Sequence, residues 1–85
     1  MNYGLVLGQS GEPARGRAMI EEALALCIQL GNILDMGNSY QRLAWLDQDA
    51  GDRVAARRHF EEALRCFEQV QSPEADAVRR SLAAL

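Results

Sequence analysis

The side chains best suited to nucleophilic or transition-metal chemistry in this 85-residue sequence are one histidine, His59, and two cysteines, Cys27 and Cys66. An imidazole becomes a catalytic base when it stands beside a hydroxyl or thiol that it can deprotonate. No serine or cysteine falls in register with His59 to be activated, so it is read as a helix-surface or interhelix residue. The cysteines sit on separate predicted helices, and neither belongs to a Cys-x-x-Cys pair. They are read as reduced thiols packed against neighbouring helices. A metal site would need further His or Cys at ligand spacing, and none stands there. Gly4, Gly8 and Gly11 imitate a phosphate-binding loop, which holds its ligand through backbone N–H groups at a helix start. Their spacing is not G-x-G-x-x-G, and no Gly-Lys-Ser/Thr follows. The expectation is no catalytic residue, no metal and no cofactor.

The elements that position these residues are helices. Gly16, Ile20, Ala23, Leu24 and Cys27 recur at helical spacing over 13–30 and form one apolar stripe. Pro13 suits a first helical turn, where its missing N–H costs nothing. Gly31 and Asn32 break the pattern, and Asn32 is expected to cap a second helix with Asp35 in its first turn. There Met36, Tyr40, Leu43, Ala44 and Asp47 share a face as far as about Asp49. Ala50-Gly51-Asp52 reads as a turn with Asp52 as cap. The following helix carries Ala56, Phe60, Ala63, Leu64 and Phe67 on one stripe. Its outer face offers the i,i+4 pairs Arg57–Glu61 and Arg58–Glu62. Ser72-Pro73-Glu74 restarts the chain as serine cap, first-position proline and first-turn acid. Met1 to Gln9 reads as the tail of a helix. Short loops make successive helices antiparallel. Small residues (Gly16, Ala23, Ala44, Ala56, Ala63) stand where axes approach closely.

Bulk composition agrees with a single soluble domain. Hydrophobic residues make up 48% and charged residues 25%, which excludes a disordered chain. A net charge of −3 lacks the basic footprint of a nucleic-acid binder. No stretch is long or apolar enough for a membrane span, and Leu5-Val6-Leu7 is too short for a signal-peptide core. Cytoplasmic location follows as an expectation, with no nucleic-acid or membrane partner. All nine basic residues are arginine, which, with the many alanines, points to a GC-rich genome.

The chain also repeats itself. A shift of about forty residues places Gly11 on Gly51, Arg17 on Arg57, Glu21-Glu22-Ala23-Leu24 on Glu61-Glu62-Ala63-Leu64, and Gln29 on Gln69. Periods of this size mark stacked helical units that bury their apolar faces against one another.

At these positions the sequence resembles the tetratricopeptide repeat, whose pattern runs W-x2-L-G-x2-Y, then A-x3-F, then A and P. Residues 40–63 read Tyr40-x2-Leu43-Ala44-x2-Asp47, then Ala56-x3-Phe60, then Ala63. Gly51-Asp52 falls where the family usually has Gly-Asp. An earlier copy shows as Gly11-Glu12 with Gly16, Ile20 and Ala23, and a third begins near Ser72. Asp47 departs from the pattern by replacing an aromatic. The longer period looks like the repeats of large bacterial signalling ATPases and transcriptional activators.

The resemblance implies an all-α fold of antiparallel helix hairpins stacked as a right-handed superhelix. Residues 1–30 would be a partial first repeat, 33–70 a complete one and 72–85 the start of a third, as part of a longer array. It further implies a concave groove that holds a peptide or partner domain. Carried over by position, that groove is lined by Asn38, Gln41, Trp45 and Gln48, with Asp49 at its edge, Arg80 on the last helix and Leu5 on the first. Trp45 would supply a hot-spot contact, although the same indole would also suit packing against an adjacent helix. The carboxamides would bond a peptide backbone or simply face water. The function expected is non-catalytic protein binding. The competing readings are a structural module that dimerises through open repeat ends, and a regulatory segment of a larger ATPase or transcriptional regulator.

Overall fold

The computed structural model describes residues 13–85. Four α-helices follow one another there: α1 (Pro13–Leu30), α2 (Ile33–Asp49), α3 (Arg53–Gln69) and α4 (Glu74–Ala84). The described residues contain no strand. The reading of Met1 to Gln9 as a helix tail, the groove position of Leu5 and the glycines at 4, 8 and 11 lie outside the described residues.

The three turns are built alike. Each of the first three helices is followed by a residue with positive φ: Gly31 at 69°, Gly51 at 78° and Gln71 at 56°. The N–H of the next residue then reaches back to a carbonyl of the last helical turn: Asn32 to Cys27 at 2.9 Å, Asp52 to Asp47 at 2.8 Å and Ser72 to Phe67 at 2.8 Å. This bond satisfies carbonyls that the helix end would otherwise leave bare. The same next residue opens the following helix. Asn32 accepts from the Asp35 N–H at 3.3 Å, and Asp52 accepts from the Ala55 N–H at 3.0 Å. Ser72 Oγ accepts from the Glu74 N–H at 3.2 Å. Pro73 stands at the boundary of α4 rather than inside its first turn, one residue from the expected place. These turns reverse the chain within two to four positions, so neighbouring helices lie antiparallel.

The core forms where α2, α3 and α4 meet. Ala44 of α2, Ala56, Phe60, Ala63 and Phe67 of α3, and Ala75 and Val78 of α4 are buried together, with Tyr40, Leu64, Leu82 and Leu85 packed around them. Burying a phenylalanine side chain stabilises by roughly 1.5–3 kcal/mol, so Phe60 and Phe67 dominate this cluster. The apolar stripes expected for α2 and α3 are therefore the ones buried. Gly37, which the periodicity of α2 did not single out, lies against a ring. A Cβ there would stand 2.7 Å and 2.9 Å from two edge carbons of Phe67.

Two expectations are corrected. Ala23 is exposed, although its register mate Ala63 is fully buried. Among the described residues α1 packs substantially on α2 alone, so only one flank of it is covered. The Arg57–Glu61 and Arg58–Glu62 pairs do not form; Glu62 instead meets Arg65 at 3.2 Å. Asp47 does lie on the inner face of α2, but as a buried charge among apolar neighbours.

Two substitutions test this account. Gly37→Ala improves helix propensity by about 1 kcal/mol, yet overpacking against a buried ring costs about 1–3 kcal/mol. A net loss of stability is expected, read as a lower urea midpoint with an unchanged slope. Gln71→Gly removes the left-handed strain on a residue with a Cβ and should raise stability by about 1 kcal/mol in the same titration.

Candidate binding surface on helix α2

Helix α2 has two faces of opposite character. Its inner face carries Gly37, Leu43, Ala44 and Asp47, all buried. Asn38, Gln41, Trp45 and Gln48 follow one another at three- and four-residue steps on the outer face. Trp45 is 48% exposed, so it does not pack away against a neighbouring helix. Asn38 and Gln41 are half-buried at the flanks, while Gln48 and Asp49 are exposed. None of the three carboxamides has a hydrogen-bond partner among the described residues. Leu34, 44% exposed, stands one turn before Asn38 on the same stripe. It was missed from sequence because it lies beside the Asn32 cap, although its spacing to Gln41 and Trp45 marks it.

Arg80 belongs to the last helix. It is exposed on α4, two positions from both Val78 and Leu82, and so on the side away from their packed face. Helix α4 packs on α3, and Arg79 ties the two through Glu68 at 2.6 Å while also holding Asp76 at 2.6 Å. These contacts orient α4 on α3. Asn38, Gln41, Trp45, Gln48 and Asp49 thus share one surface of α2, while Arg80 is carried, exposed, by α4.

A second polar group lies inside. Asp47 Oδ1 accepts from Arg17 Nη2 at 2.7 Å, and Oδ2 lies 2.5 Å from Nδ1 of His59. Tyr40 stacks over the imidazole, with ring centroids 6.2 Å apart. His59 is thus an interhelix residue, joined to a carboxylate and, among the described residues, to no hydroxyl or thiol that it could activate. The sequence signal for this cluster was a charged residue on an otherwise apolar stripe. Cys66 is buried and Cys27 half-buried, both as free thiols. Burial first, and the nearby Glu62 carboxylate second, push the Cys66 thiol above its usual value; the same two causes raise the Tyr40 hydroxyl. Such a thiol is a poor nucleophile. No group of three or more His, Cys, Asp or Glu side chains among the described residues could hold a metal ion. No helix among the described residues is long and apolar enough to cross a membrane.

Comparison with known proteins fits this architecture. A family model described as tetratricopeptide repeat matches residues 1–69. No curated protein and no solved structure matches the chain significantly. Repeats of this family generally act as protein–protein interaction scaffolds and are generally non-catalytic. With a match spanning most of its length and helices joined as antiparallel hairpins, the chain belongs to the tetratricopeptide repeat family.

Proposed function

We propose that this chain is a non-catalytic scaffold that holds a peptide or partner domain along the outer stripe of α2. The observation that carries the reading is a half-exposed indole, Trp45, among carboxamides that bond nothing else among the described residues. Asn38, Gln41 and Gln48 offer donors and acceptors to an extended backbone, and Leu34 and Trp45 offer apolar contact. Asp49 borders this surface; Arg80 would contribute only if the partner extends over α4. The helices are already fixed by the core, so little conformational entropy is lost on the scaffold side when a partner docks. In this reading residues 33–70 are the complete repeat, flanked by parts of two others, and the free thiols suit a reducing compartment such as the cytoplasm.

A second reading draws support from α1. Met19, Leu26 and Leu30 are exposed, and with Ala23 they form a stripe at four- and three-residue steps. Such a stripe would suit association between copies of the chain.

Because Trp45 is half-exposed, Trp45→Ala should change stability by less than about 1 kcal/mol. The Gln41→Ala/Trp45→Ala double variant should stay helical and melt close to wild type, while capturing at least tenfold less partner from source lysate. A large melting loss, or undiminished capture, counts against the groove. For self-association, sedimentation velocity over a hundredfold concentration range should show a dimer that Leu26→Glu abolishes. A monomer throughout rules that reading out.

A further inference from the structure

We infer that Arg17, Asp47 and His59 form an ionic clamp that docks α1 on the α2–α3 hairpin, and that α1 depends on this clamp more than on apolar burial. The reasoning begins with what α1 lacks. It contributes no side chain to the buried apolar cluster. Its inner face consists of a buried Gly16 and half-buried Arg17, Ile20, Leu24 and Cys27. Met19, Leu26, Ile28 and Leu30 face outward, Leu30 with 72% of its surface exposed. By contrast, α3 buries Phe60 and Phe67 completely. Among the described residues, little apolar area therefore holds α1 in place.

The clamp supplies a directed contact where that area is small. The Asp47 side chain is only 3% exposed and that of Arg17 31%, so the pair is shielded from water on the carboxylate side. A carboxylate in such surroundings requires partners, because an unpaired buried charge is strongly destabilising. Arg17 comes from α1 and His59 from α3, so one carboxylate on α2 joins three helices. A carboxylate accepts, so Nδ1 of His59 carries the proton of that bond. With Oδ2 held by His59, Oδ1 is left aimed at Arg17, and this fixes where along α2 the first helix can sit. Arg57, the equivalent of Arg17 in the forty-residue register, is exposed and has no such partner among the described residues. The inference is independent of the groove reading, since none of the clamp residues lies on the outer stripe of α2.

Amide hydrogen exchange on the full chain tests it, because local opening of α1 and global unfolding are read separately. Arg17→Gln and Asp47→Asn should each lower protection across 17–30 by at least tenfold while changing α3 protection less than twofold. The Arg17→Gln/Asp47→Asn double variant should lose no more than the worse single one, which is the signature of one shared interaction. His59→Leu should loosen α1 as well, although it belongs to α3. Arg57→Gln should leave α1 unchanged. Equal losses in α1 and α3, unchanged α1 protection, or losses that multiply in the double variant would overturn the clamp.

Discussion

Two phenylalanine rings need space between helices that run side by side. Phe60 and Phe67 are wholly buried, and they fit because Ala44, Ala56, Ala63, Ala75 and Gly37 surround them with small side chains. Large against small is how facing layers interdigitate at native density. This constraint organises the rest. The inner face of α2 must stay small near Phe67, and α4 must present Val78 and Ala75 to the same cluster. The short turns follow from it too, since helices packed this closely must be joined without slack. Three similar reversals deliver that, each with a left-handed residue followed by one whose side chain accepts a backbone N–H.

Asp47 breaks the apolar pattern at the place where the family usually has an aromatic. A charge there is tolerable only because two side chains from other helices meet it. The consequence is a division of labour. Apolar burial holds α2, α3 and α4 together, while a polar contact reaches out to α1. The same position thus changes from a packing residue into a connecting one. Tyr40, one face of which lies over His59, shields this contact at the boundary between core and surface.

Once the inner face of α2 is committed to the core, its outer face is left for water or a partner. Trp45 and Leu34 remain uncovered there, beside amides without internal bonds. A rigid helix presenting such side chains suits the general role of the family as an interaction scaffold.

Much of this was legible in the sequence because it is local. Helix spans, the Asn32 and Asp52 caps and the buried stripes of α2 and α3 follow from the 3.6-residue period and from residues that bond backbone groups two or three positions away. The Tyr40–Ala63 pattern pointed to the family for the same reason. What was not legible depends on how helices far apart in the chain come to rest on one another. Ala23 and Ala63 stand in the same local sequence, Glu-Glu-Ala-Leu, yet one faces water and one is buried, because burial depends on the neighbour and not on the residue. Gln71 adopts the conformation of Gly31 without being glycine. Arg17 and Asp47 stand thirty positions apart, and no periodicity of either helix states that they meet. Composition and spacing alone determined which faces could be buried. Only the tertiary arrangement decided which of them were, because side-chain periodicity is a property of one helix and contact is a property of two.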